Sequence, residues 1–331
     1  MEKILVTGGA GYAGSILVDK LLDEQYKVKV LDNLMYNQTS HLPFFINKNF
    51  EFVRGDIRDK ETVSESLKDV DLILHLAAIV GAPACKKNTK LAEEVNIEGT
   101  RIINSFRSNN QTLIYASTGS NYGKLDEICT EESPLNPTSL YAKTKCQAED
   151  EIMSRGNSVA LRFATAFGVS PRFRYDSLLI NDLVYQALNN RYLVIYEADA
   201  KRTFIHVRDM AESYLFTIDN LDKTRNNVFN VGSEKMNCSK RDVVSKIKEI
   251  LKNKEKINLD IFFAEIAEDE DKRDYEVSYE KIRKIGFETK ISLNEGIEEL
   301  INVFKNLPFR DHQAVNIEWC KYIIIITKKI M

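Results

Sequence analysis

Two side chains with complementary chemistry, Tyr141 and Lys145, stand four residues apart in the run Pro137–Lys145. A phenol has a reference pKa of ~10 and is a poor base near neutrality. An ammonium beside it favours the phenolate, lowers that pKa and lets the oxygen take a proton from a hydroxyl. Four residues is about one helical turn, so on a helix beginning near Ser139 both side chains project from one face. The spacing alone is equally that of an exposed Tyr–Lys pair on a solvated face. The chemical reading depends on what else the chain brings beside it.

A second constellation opens the chain. The apolar run Ile4-Leu5-Val6 feeds Thr7-Gly8-Gly9-Ala10-Gly11-Tyr12-Ala13-Gly14, and a helical pattern follows. Gly8, Gly11 and Gly14 permit a tight turn, close approach of backbone to a pyrophosphate, and close packing of helix on strand. The helix N-terminus adds unpaired N–H groups and a positive dipole end. A lone glycine motif is a weak sign of a nucleotide site. Here it lies between a strand and a helix, and an acid, Asp32, ends the next strand. A carboxylate there bonds a ribose 2′-hydroxyl and repels a 2′-phosphate. Asn33 follows it, with no Arg or Lys alongside, which favours NAD over NADP. A turn after a strand also commonly carries an Asp. Asp56, in Gly55-Asp56-Ile57, either reaches the adenine edge or caps the helix that starts near Asp59.

These residues need a scaffold. Short apolar runs predict strands at Lys3–Thr7, Lys27–Asp32, Glu51–Arg54, Leu72–Leu76, Gln111–Ala116 and Ser158–Phe163. Helical patterns at Gly14–Glu24, Asp59–Ser66, Ala92–Asn109 and Ser139–Met153 alternate with them. Such alternation predicts an α/β fold, a doubly wound parallel sheet of Rossmann type with right-handed crossovers. We expect residues 1–165 to form the dinucleotide-binding domain and 166–310 a smaller mixed α/β substrate-binding part. Helical spacing recurs there at Ile180–Asn189 and Lys240–Leu251, and segments within about 203–231 (Thr203–Asp209, Val228–Val231) are expected to return to the first domain. The tail, 311–331, has no assigned role.

Bulk properties exclude several function classes. Of 331 residues, 44% are hydrophobic and 29% charged, and the net charge of −3 gives no electrostatic footprint for nucleic acid or an anionic membrane. No apolar run approaches the ~18 residues of a membrane span, and the N-terminus lacks a signal-peptide pattern, so a cytoplasmic protein is expected. Cys85, Cys129, Cys146, Cys238 and Cys320 lie singly, as do His41, His75, His206 and His312, which predicts neither a disulfide framework nor a metal site.

Further motifs surround the Tyr–Lys pair: Tyr115-Ala116-Ser117-Thr118-Gly119-Ser120-Asn121-Tyr122-Gly123 at a strand end, His75-Leu76-Ala77-Ala78, and Asn96. Together with Thr7–Gly14 and Pro137–Lys145, they resemble the extended short-chain dehydrogenase/reductase family, in its nucleotide-sugar epimerase and dehydratase branch. The resemblance spans residues 3 to about 305. It implies that Tyr141 removes a proton from a sugar hydroxyl and that Lys145 lowers its pKa and holds the nicotinamide ribose. Thr118 would share a hydrogen bond with the reacting oxygen, and oxidation is expected at C4. NAD would lie against Gly8, Gly11, Tyr12, Ala13, Gly14, Asp32, Asn33, Asp56, Ile57, Leu76, Ala77, Ala78 and Ser117. Arg202 and Arg273 match diphosphate-binding arginines, although a surface ion pair with a neighbouring Asp explains each without the family.

The departures narrow the chemistry. Where the 4,6-dehydratases carry an Asp-Glu pair, this chain has Gly119 and Ser120, which cannot perform the elimination. Where epimerases hold the diphosphate with an Asn, it has Thr165. The block Leu161–Arg174 is similar to a subgroup found with heptose and deoxysugar modification, which includes 4-oxidases of GDP-heptose. The resemblance therefore implies a 4-epimerase of a UDP- or GDP-linked sugar, a homodimer in surface-polysaccharide biosynthesis. Its alternatives are a net 4-dehydrogenase or 4-ketoreductase, and a non-catalytic NAD-binding regulator.

Overall fold

The computed structural model describes residues 2–264 and 273–306. The tail from Asp311, with Cys320 and His312, lies outside the described residues.

Six strands alternate with helices through the first half: β1 (Lys3–Thr7), β2 (Lys27–Asp32), β3 (Phe50–Arg54), β4 (Leu72–His75), β5 (Thr112–Thr118) and β6 (Ser158–Phe163). With a later strand, Asn227–Val231, they form a seven-stranded sheet in the order 227–231, β6, β5, β4, β1, β2, β3. Every pairing in it is parallel. Strands β4 and β6 are buried throughout their length, as expected of a sheet covered on both faces. Strand order reverses on either side of β1, and the crevice opens at the carboxyl ends of β1 and β4, where Thr7 pairs with His75.

The helices of this half are α1 (Tyr12–Asp23), α2 (Lys60–Ser66), α3 (Ala82–Lys87), α4 (Thr89–Glu93), α5 (Thr100–Phe106) and α6 (Leu140–Arg155). Ser139 starts α6 by accepting the N–H of Ala142 at 3.2 Å, and Gly156, at φ +75°, ends it. The helix expected over Ala92–Asn109 is continuous from Thr89 to Phe106, with a π turn at Glu94–Gly99 between α4 and α5. The cause is Asn96. Its buried amide donates to Ile79 O and Thr144 Oγ1 and accepts from Ile79 N, which pins the turn between the β4 loop and α6. Strand β5 starts after Gln111, whose amide donates to the carbonyls of Leu67 and Val70. It runs two residues further than the expected Ala116, carrying Ser117 and Thr118 to the crevice.

Beyond β6 the chain builds a second set of elements: β7 (Thr165–Phe167), α7 (Leu179–Asn190), β8 (Tyr192–Tyr196), β9 (Lys201–His206) and α8 (Val207–Asp219). Asn227–Val231 (β10) pairs with β6 in the large sheet. Thr203–His206, expected to return to the first domain, does not join that sheet. It belongs to β9, which is flanked on both edges by β7 and by β11 (Asn237–Ser239) in a sheet of three strands. A separate core of Phe167, Ile195, Phe204, Val243 and Leu300 fills this part. Its entry loop is fastened to the glycine turn: Tyr12 donates its hydroxyl to Gly168 O at 2.6 Å, and Ser170 donates to Tyr12 O at 2.5 Å.

Candidate active site

The glycine turn leads from β1 into α1 with a geometry that excludes side chains. Gly8 has φ +72°, and a Cβ there would lie 2.8 Å from the backbone N of Ala77. A Cβ on Gly14 would lie 2.3 Å from the carbonyl oxygen of Gly8. The first turn of α1 carries no side-chain cap and no acid, so its N–H groups remain for an anion. Gly8, Gly11, Tyr12, Ala13 and Gly14 all line one cleft over the sheet.

Asp32 lies in the same cleft at the end of β2. Its carboxylate accepts from Ala10 N at 3.1 Å, Leu34 N at 2.8 Å and Gln38 Nε2 at 3.2 Å. Burial raises its pKa, against the pull of the two backbone donors. Three of roughly four acceptor positions are thus used, which leaves one for a ribose hydroxyl. Asn33 donates to Asp56 Oδ2 at 3.1 Å, and both side the cleft with Ile57. Asp56 is not the helix cap: Asp59 fills that role by accepting the N–H of Glu61. Arg58 grips Asp56 and holds its carboxyl down at about 2. On the opposite wall Leu76, Ala77 and Ala78 follow β4.

Tyr141, Lys145, Ser117 and Thr118 meet in this cleft, the first two from α6 and the others from β5. Burial pushes the Tyr141 phenol up to about 12, opposed by its hydrogen bond with Thr118 and by the charges of Arg273 and Arg174. Lys145 is 3% exposed, and burial pushes its ammonium down to about 7. That ammonium sits 4.0 Å above the ring of Tyr115. Arg273 and Arg174 thus both bear on the phenol from the cleft wall. Thr118 donates to Ser120 Oγ at 3.1 Å, and Arg273 Nη1 donates to the same oxygen at 2.6 Å. A hydrogen-bonded chain thus links Arg273 to the residues around the phenol.

Thr165 and Arg273 line the cleft as well. Arg202 falls outside its lining, buried in β9 opposite Cys238 of β11. Residues not singled out by spacing complete the walls. Arg172 and Arg174 enter from the loop after β7, and Arg172 stacks 5.4 Å from the ring of Tyr36. Two cations in a loop just past a strand end were the available signal for them; Tyr36 and Gln38 had none. Among the described residues, no group of three His, Cys, Asp or Glu side chains could hold a metal, and no helix is long and apolar enough to cross a membrane.

The glycine cradle, the uncapped helix end and the acid at the end of β2 fit a dinucleotide, and known proteins agree. Residues 4–232 match the family model described as the NAD dependent epimerase/dehydratase family. UDP-glucuronic acid decarboxylase 1 of Arabidopsis thaliana is 29% identical over 317 residues, which cover 92% of this chain and 70% of that protein. The UDP-glucose 4-epimerase of Thermus thermophilus, solved with NAD, superimposes with a TM-score of 0.76 at 25% identity, over 92% of this chain and 99% of that one. The dTDP-glucose 4,6-dehydratase of Bacillus anthracis, also solved with NAD, gives a TM-score of 0.78 at 25% identity, over 92% and 97%.

Proposed function

The chain belongs to the NAD dependent epimerase/dehydratase family, and from that premise we propose that it is a 4-epimerase of a nucleotide-diphosphate sugar. It is an enzyme of the extended short-chain dehydrogenase/reductase type and uses NAD. The observation that carries the proposal is the meeting of Thr118, Tyr141 and Lys145 in one cleft, with no carboxyl at 119 or 120.

Tyr141 takes the proton of the C4 hydroxyl, while Thr118 holds that oxygen in line with the phenol. Bound NAD supplies the acceptor, and later the donor, of the hydride at C4. Lys145 would hold the ribose next to it. Ser120 and Gly119 offer no acid to expel a neighbouring hydroxyl, so the ketone keeps all its substituents until reduction from the other face. Arg273, joined by Thr165, is assigned to the substrate's diphosphate, for which a planar fork of donors is suited. The working form on this reading is a homodimer that joins the helices 89–106 and α6 of two copies.

Purified protein given UDP- and GDP-linked sugars, with no added cofactor, is expected to invert C4, read from the C4 proton by NMR. NADH formed in step with product, or a requirement for a 2-oxoacid, would replace the epimerase with a net 4-dehydrogenase.

A further inference from the structure

Helix α6 presents Tyr141, Lys145 and Glu149 at successive four-residue steps, hence along one face. Glu149 is 2% exposed, and a carboxylate so deep persists only with partners. Arg162 on β6 grips both its oxygens, with Nε at 3.1 Å from each and Nη2 at 2.5 Å from Oε1. Ser117, in the cleft wall and paired in register with Arg162, donates its hydroxyl proton to Oε2 at 2.5 Å. A hydroxyl has one proton and two lone pairs. With the proton spent on Glu149 and one lone pair taken by Asn121 Nδ2 at 3.2 Å, Ser117 can offer the cleft only an acceptor.

The same carboxylate bears on Lys145. The groups facing that ammonium are Glu149 from α6, Cys85 from α3, Tyr115 from β5 and His75 from β4. Burial pushes the Cys85 thiol up to about 12 and the His75 ring down to about 3, so both are neutral near pH 7. Tyr115 contributes its ring face. Glu149 is the remaining anion.

We propose that Glu149 is a positioning residue of the site, fixing Ser117 as an acceptor toward the bound dinucleotide and supplying the buried counter-charge for Lys145. The proposal rests on the Tyr141–Lys145 reading above. An ion pair that only fastened α6 to β6 could be exchanged for a matched uncharged pair with little loss. A positioning role cannot be exchanged in this way.

The test is the variant Glu149→Gln/Arg162→Met, which removes the anion without stranding the guanidinium, beside Glu149→Asp, which keeps the charge. Losing the anion makes the ammonium harder to hold, so Lys145 gives up its proton at lower pH. The high-pH limb of kcat should move down by roughly one unit in the double variant, a loss of roughly tenfold above both limbs. Thermal unfolding should stay near that of the parent. Glu149→Asp should lower kcat but leave the limb in place. A folded double variant with the parent's kcat and pH profile would overturn the proposal, as would a limb moved equally by Glu149→Asp. If the double variant does not fold, Glu149→Asp decides alone: a displaced limb overturns the proposal and a fixed limb with lowered kcat supports it. Absence of NAD-dependent turnover in the parent protein would instead remove the underlying reading.

Discussion

Tyr141→Phe is expected to lower turnover by roughly 10²–10⁴-fold, the usual contribution of a general base, while NAD affinity stays within a few-fold of the parent. The substitution removes one oxygen from a ring held between α6 and β5, so packing is conserved. What is lost is the proton acceptor and the partner of Thr118. The free phenol is pushed up to about 12 by burial, so near neutrality it is protonated before substrate arrives. Arg273, Arg174 and Thr118 already pull against that burial, and the positive charge brought by NAD acts in the same direction. Steady-state kinetics together with a fluorescence titration of NAD separate the two effects. Near-normal kcat in the variant would end the mechanism, whatever the cofactor affinity.

Gly14→Ala is expected to abolish most cofactor binding without unfolding the chain. The added Cβ meets Gly8 O at 2.3 Å and Gly9 Cα at 2.8 Å. These are backbone atoms of the turn itself, so no side chain can step aside and the turn must open. Local strain of ~1–3 kcal/mol corresponds to NAD binding weaker by about 5- to 150-fold. The rest of the sheet is untouched, and circular dichroism should match the parent. Isothermal titration with NAD measures the loss. An unchanged dissociation constant would show that the turn does not cradle the pyrophosphate.

The parallel sheet and its crevice were legible because a strand buried on both faces writes a plain apolar run, as Leu72–His75 and Ser158–Phe163 do. The glycine turn was legible for the opposite reason: only glycine satisfies the backbone approach at positions 8 and 14. Side-chain networks leave no such trace. Asn96 pins a π turn within a helix through bonds to Ile79 and Thr144, partners 17 and 48 residues away. Arg174 comes to bear on Tyr141 only after β7 carries the chain off the large sheet. Arg202 shows the converse, since a local match says nothing of the strand pairing that buries it in β9. Glu149, one turn past Lys145, was in plain view as a charge on a helix; its role follows from Ser117 and Arg162, which only the sheet register brings to it.

The central claim is that the hydride removed from C4 returns to the same carbon. A nucleotide sugar on which the enzyme turns over, prepared with deuterium at C4, tests this most directly when no cofactor is added. The account predicts a C4-inverted product that retains its deuterium at C4, with no reduced cofactor released and no label in water. Deuterium recovered in free reduced cofactor, one per product formed, or washed into solvent, would contradict it.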